Sequence, residues 1–205
     1  MKTNMVLWRD NIDPEYNVER YIDLIHSPQC RRKDEEGREH YTSYFDNVDE
    51  NSYAVVQSNL EGIMSQFDFM PYSIQLAAMK LQVQPFYESV CADILKELKI
   101  LNENRVNVTL WSQGYLGNDS DGHGEHHHYH SECRTILSWV HFVEPVEDDC
   151  FEFITGNETI TPSQRKNDFI VFPSWARHHV KPHHNERRLV VAGNITLRDD
   201  DNLKS

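Results

Sequence analysis

After Asn104 the chain breaks into short runs of β-forming residues, and no other feature limits its possible folds as strongly. Segments 106–111, 135–143, 151–154, 169–172 and 189–197 are rich in Val, Ile, Thr and aromatic residues. Turn-rich pieces separate them, notably 114–124 and the Gly156, Asn157 pair. Many short strands with no internal repeat point to an antiparallel jelly roll or barrel. The stretch before Asn104 reads as mainly helical. Asp13 followed by Pro14 forms a helix start, because Asp caps and Pro is tolerated at the first helical position. Val18, Tyr21, Ile22 and Ile25 follow at helical spacing until Pro28. Segment 31–38 is charged and contains Gly37, as a solvated loop would. A second helix is expected over 53–67 and a third over 73–81. The clearest begins at Pro85, with Phe86, Val90, Ile94, Leu98 and Leu101 on one face and Lys96 and Lys99 near the end where the helix dipole favours cations. The expected class is α+β. A helical region, 1–103, packs on one sheet of a β core, 104–198, and an Asp-rich tail, 199–205, follows.

Hydrophobic residues make up 39% of the 205, so burial can offset the entropy of ordering. No apolar run is long enough to span a membrane, and residues 1–9 lack the basic-then-apolar order of a signal peptide, so the expected location is the cytoplasm. A formal charge of -13 opposes binding to a nucleic-acid backbone. Cys30, Cys91, Cys133 and Cys150 form no CxxC and read as buried thiols rather than disulfides. No feature specifies an oligomeric state.

Ten of the twelve histidines lie between His123 and His184. Neutral imidazole is the commonest protein metal ligand, so this crowding directs attention to a metal. Five of the ten fall between His123 and His130. In that tract His130 and Glu132 are two apart, and on a strand such residues face the same side. His178, in the stretch Phe-Pro-Ser-Trp-Ala-Arg-His, is the candidate third ligand. Two imidazoles and one carboxylate on one face of an octahedron leave three positions open, the arrangement of non-haem Fe(II) oxygenases. His123, His126 and His127 are expected at the mouth or surface. A tract that binds nickel or zinc adventitiously is the bland alternative. The Asn-Asp-Ser-Asp-Gly run at 118–122 lacks the Glu a calcium loop needs six residues later, where His128 stands, so it reads as a turn-rich loop able to cover the site.

Arg188 opens the last apolar run, ten residues after His178. A guanidinium at the end of a buried strand requires an anionic partner and grips a carboxylate as a fork. Arg187 is expected to point the opposite way. Trp139 and Trp175 read as core or pocket walls, and Trp111 as packing.

Taken together, Tyr129-His130-Ser131-Glu132 with Arg134 and the strand 136–140, then 159–162 and 168–173 leading to His178, then 188–194, resemble the Fe(II)/2-oxoglutarate-dependent dioxygenase superfamily in its prolyl-hydroxylase-like branch. The resemblance covers roughly 106–195. It implies a double-stranded β-helix, a form of jelly roll also seen in cupins. It further implies Fe(II) held by His130, Glu132 and His178, and 2-oxoglutarate gripped by Arg188. The implied reaction consumes dioxygen, hydroxylates an unidentified protein or small-molecule substrate, and releases succinate and carbon dioxide. The commoner proximal motif of the branch is His-x-Asp. Some relatives show His-x-His before a similar strand, which leaves His128 with His130 as a second register. Two rival functions remain beside this one. One is a cupin-like metalloenzyme using His128, His130 and His178 without 2-oxoglutarate. The other is a non-catalytic module with its metal closed in by four protein ligands.

Overall fold

The computed structural model describes residues 5–14, 20, 22, 32–33, 39–40, 42–44, 48–100, 106–116, 123–128, 134–146, 149–182 and 187–197. Twelve strands occur among them: β1 (Trp8–Asn11), β2 (Arg32–Lys33), β3 (Glu39–His40), β4 (Thr42–Tyr44), β5 (Val106–Leu116), β6 (His123–His126), β7 (Thr135–Glu144), β8 (Phe151–Thr155), β9 (Glu158–Ile160), β10 (Asp168–Pro173), β11 (His178–Val180) and β12 (Arg187–Leu197). Six form a major sheet in the order β1-β10-β7-β12-β5-β4, four form a minor sheet in the order β6-β11-β8-β9, and β2 pairs with β3. The pairings are antiparallel.

Strand alternation divides the major sheet into two apolar faces. Leu137, Trp139, Val143, Phe169, Val171, Val191 and Ile195 lie in one buried cluster with the helices. Val140, Phe142, Ile170, Phe172, Val190 and Ala192 lie in a second cluster with Phe151, Phe153 and Val180 of the minor sheet. The major sheet is therefore a middle layer, covered by helices outside and by the minor sheet inside. Burial on both faces explains why β7, β10 and β12 read as nearly continuous apolar runs rather than as an alternation. Close approach is built in at Gly193, where a Cβ would collide with the Thr109 carbonyl and the Trp139 indole.

Among the described residues three full α-helices cover the outer face: α1 (Glu50–Ser58), α2 (Leu60–Ser65) and α3 (Tyr72–Leu98), with a 3-10 turn at Phe67–Phe69. Asp49 caps α1 by accepting from the Ser52 N–H at 2.8 Å and from its hydroxyl at 2.6 Å. These bonds hold its carboxyl below the usual range and satisfy a helix N–H that would otherwise lack a partner. The helix expected over 53–67 is in fact two. Asn59 ends α1 and caps α2, its side chain accepting from the Gly62 N–H at 3.3 Å. The reverse holds for α3, which merges the helices expected over 73–81 and from Pro85. Pro85 is exposed, so the Leu81 carbonyl that loses its partner lies on the solvated side, where water is available to it. Met79 and Val83 before the proline, and Tyr87, Cys91 and Ile94 after it, lie in the same buried cluster. That shared burial outweighs the missing hydrogen bond. The buried stripe runs through Tyr87, Cys91, Ile94 and Leu95, with Phe86, Val90 and Leu98 at its margin. Tyr87 stacks on Trp139 at 5.1 Å, and Trp139 on Phe169 at 5.1 Å.

The region before Asn104 is less purely helical than its sequence reads. β1 pairs with β10, and β4 pairs with β5, so this region supplies both edges of the major sheet. Arg9 anchors β1 through an ion pair with Asp168 at 2.7 Å, and the Trp8 indole donates to Glu97 of α3 at 2.7 Å. Of the helix expected to start at Asp13, residues 15–19, 21 and 23–30 lie outside the described residues. Arg20 and Ile22 are helical, and Ile22 is buried. Cys91 and Cys150 are free and buried, as expected, while Cys30 and Cys133 lie outside the described residues. Among the described residues no helix is long and apolar enough to cross a membrane.

Candidate metal centre

His178 opens β11 and is buried. Its ring is walled by Phe151 at 5.2 Å, Phe172 at 5.3 Å and Phe153 at 6.4 Å between centroids. The preceding turn puts it there by alternation: Ser174, Ala176 and His178 are buried, while Trp175 and Arg177 are exposed. The His178 Nδ1 lies 2.9 Å from the Ala176 carbonyl. A carbonyl only accepts, so Nδ1 carries the proton and Nε2 becomes the lone-pair nitrogen, the form a metal requires.

β6 pairs with β11 and sets His126 directly opposite His178. Its Nδ1 lies 2.8 Å from the Gly124 carbonyl, which selects the same tautomer. His128 lies just beyond the end of β6, and its backbone N–H donates to the Ser174 carbonyl at 2.9 Å. Ser174 is itself anchored, because its hydroxyl donates to the Thr135 carbonyl at 2.8 Å. The His128 ring lies 5.5 Å from Trp111 of β5, so it reaches the major sheet.

The three rings converge. Centroid separations are 4.2 Å for His126 and His178, and 5.0 Å for each of the other two pairs. One ligand atom from each lies within 4.8 Å of the others. Among the described residues no carboxylate joins this group. Three neutral imidazoles on one side of a point suit a borderline divalent ion and leave its other positions for exogenous ligands. The donor set therefore fits a mononuclear non-haem metal. On the rim, Arg177 forms an ion pair with Glu125, tying the β6 strand to the turn before β11.

Arg188 lies on the same inner face of β12 as Val190 and Ala192 and is 1% exposed. Its guanidinium carbon is 5.9 Å from the Phe142 ring centroid. Cys150 is near enough to feel its charge: burial pushes the thiol up, and the guanidinium pulls it back. Ala192, four residues on, is the register partner of Trp111 and so stands beside the histidines. Arg188 is thus about 13 Å along the strand from that level. An arginine side chain and a short dicarboxylic acid together can bridge such a gap.

Two of the expected ligands, His130 and Glu132, lie outside the described residues. His178 is in the cluster, and so is His128, the alternative proximal ligand. His127 is exposed, as expected, but His126, expected at the mouth or surface, is a member of the cluster. The signal that could have found it is the i, i+2 spacing of His126 and His128, the same alternation that singled out His130 and Glu132. His179 turns away to the other side of the minor sheet, as alternation requires. There it meets Glu152 at 2.9 Å, beside Lys181 and Thr161. Burial alone would raise the Glu152 carboxyl, but these three partners hold it below the usual range. Trp175, expected as core or wall, is instead 55% exposed.

No protein-family model matches this sequence, and no curated protein does. Solved structures do resemble it, and the fold is that of a prolyl-4-hydroxylase. A prolyl-4-hydroxylase from Pseudomonas putida is similar with a TM-score of 0.52 and 12% identity, over 94% of this chain and 92% of that one. A prolyl hydroxylase from Trichoplax adhaerens, solved with a hypoxia-inducible-factor peptide, gives 0.46 and 13% over 96% and 99%. The viral collagen prolyl hydroxylase of Paramecium bursaria Chlorella virus-1, in its 2-oxoglutarate complex, gives 0.43 and 13% over 80% and 98%. At 12% identity, the likeness to the Pseudomonas putida enzyme shows the fold alone.

Proposed function

We propose that this protein is an Fe(II)- and 2-oxoglutarate-dependent oxygenase that hydroxylates a protein or small-molecule substrate and releases succinate and carbon dioxide. In this reading the two facing sheets form a double-stranded β-helix, and the core at 104–198 supplies every residue of the site. The observation that carries the proposal is the convergence of His126, His128 and His178 on one side of the sandwich, with buried Arg188 further along the same inner face.

Each group has a defined task. His126, His128 and His178 hold the ion. The Gly124 and Ala176 carbonyls fix two of the rings in the ligating tautomer. Arg188 grips the far carboxylate of 2-oxoglutarate and sets its other end toward the histidines. Phe151, Phe153 and Phe172 exclude water from behind His178. Bound Fe(II) supplies the activation of dioxygen, with 2-oxoglutarate as the two-electron donor. His130 and Glu132 are the competing proximal pair, and substitution separates the two ligand sets.

The test is succinate formation from 2-oxoglutarate with Fe(II) and oxygen, and its loss in Arg188→Ala. A second reading is favoured by the all-imidazole set: a cupin-like metalloenzyme that needs no 2-oxoglutarate. Iron binding by a protein with no affinity for 2-oxoglutarate would select it.

A further inference from the structure

Four residues of β12 face the interior between the two sheets, and they grow more accessible in one direction. Arg188, Val190 and Ala192 are 1%, 4% and 8% exposed, and Asn194, the next inward position, is partly exposed. The inner face therefore opens at Asn194 and closes at Arg188. Strand register sets Thr109 of β5 on one side of Asn194 and Ser138 of β7 on the other. Three short polar side chains thus form a row across neighbouring strands, Ser138 buried and Thr109 and Asn194 partly exposed, on a face that otherwise carries Arg188, Trp111 and an apolar cluster of Phe, Val, Ile and Ala side chains.

This row adjoins the histidines from two directions. Ser138 is the register partner of Phe172, whose ring is 5.3 Å from His178. Ala192, one inward position before Asn194, is the partner of Trp111, whose ring is 5.5 Å from His128. The amide is also oriented. The Ser138 hydroxyl donates to Asn194 Oδ1 at 2.8 Å, which directs that oxygen at β7 and leaves Nδ2 as the donor on the other side of the amide.

We propose that Asn194 is a positioning residue for the molecule to be oxidised, its Nδ2 donating to a neutral carbonyl oxygen of that substrate, an amide carbonyl. This rests on the metal reading above, with substrate entering from the end opposite Arg188. The Thr109, Asn194, Ser138 row carries no formal charge, so its hydrogen bonds suit a neutral carbonyl, and the buried cation on this face of β12 stands at the far end. Ser138 acts through Asn194 by fixing which edge of the amide faces the cavity.

The experiment uses Mn(II)-loaded protein with saturating 2-oxoglutarate and N,N-dimethylacetamide, a probe that accepts hydrogen bonds and donates none. Paramagnetic relaxation of its methyl protons reports residence beside the metal. The relaxation enhancement seen with the unaltered protein is expected to fall about fivefold in Asn194→Ala and in the isosteric Asn194→Asp, the loss of one neutral hydrogen bond. Ser138→Ala is expected to lower it about twofold, while 2-oxoglutarate affinity by calorimetry stays unchanged in all three. Equal relaxation in the unaltered protein and both Asn194 variants would overturn the role of Asn194 and leave the oxygenase reading intact. Failure of the unaltered protein to bind Mn(II) or 2-oxoglutarate would overturn the oxygenase reading itself, and this role with it.

Discussion

His126 and His178 face each other across the β6–β11 ladder with ring centroids 4.2 Å apart. Directly opposed residues on antiparallel strands share a face, so two strands of the minor sheet bring two imidazoles to one point without any special loop. His128 adds a third from just past the strand end.

The pairing predicts which proximal residues bind metal. His126→Ala should weaken Fe(II) or Co(II) binding by more than the roughly 10–100-fold that loss of an outer-shell partner costs. Glu132→Ala should leave affinity nearly unchanged. Calorimetric metal titration checks this, and the opposite ranking would transfer the site to His130 and Glu132.

Arg188→Lys should retain the fold and the positive charge yet weaken 2-oxoglutarate binding by roughly tenfold to a hundredfold. A fork of two charge-assisted hydrogen bonds is lost and an ammonium does not reproduce it. Calorimetry with 2-oxoglutarate on metal-loaded protein measures the change. Equal affinity would mean that the guanidinium serves only the core.

His141 gives stability a defined pH dependence. It lies between α3 and the major sheet, its Nδ1 2.8 Å from the Tyr87 hydroxyl. Burial lowers its pKa from 6.5 to about 4, against the opposing pull of the Ile12 carbonyl and Asp168. The native state thus binds fewer protons than the unfolded chain between those values. The contribution is full above about pH 6.5 and is lost as pH falls toward 4, about 3 kcal/mol in all. Urea unfolding across this range should show that slope, and His141→Leu should flatten it.

Gly193→Ala should destabilise the protein by about 1–3 kcal/mol, because the added methyl meets the Thr109 carbonyl and the Trp139 indole, and Trp139 is held from above by Tyr87. Denaturant unfolding measures it, and an unchanged midpoint would show that the indole can shift.

The sequence made the buried strands legible, and physics explains both that success and the omissions. β7, β10 and β12 are covered on both faces, so their β-branched and aromatic runs stand out. β6 carries His, Gly and Glu, residues with weak strand preference, and reads as loop. β1 is short and largely exposed, so Arg9, Asp10 and Asn11 bear no apolar signature. Pro85 reads as a helix start because local propensity ignores the tertiary burial that carries α3 through it. At the site, His178 could be picked out because it follows the apolar strand β10 in the stretch Phe-Pro-Ser-Trp-Ala-Arg-His, and Arg188 because it opens the apolar run of β12. His126 could not. A tract of five histidines offers several registers, and a slip of one residue exchanges the two faces, so only the pairing of His126 with His178 selects among them.

Equilibrium Fe(II) binding under anaerobic conditions, compared between the unaltered protein and His178→Ala, tests the central claim most directly. The account predicts one ion per chain in the unaltered protein and a loss of affinity beyond roughly a hundredfold in the variant. Equal affinity and stoichiometry in the two proteins would contradict it.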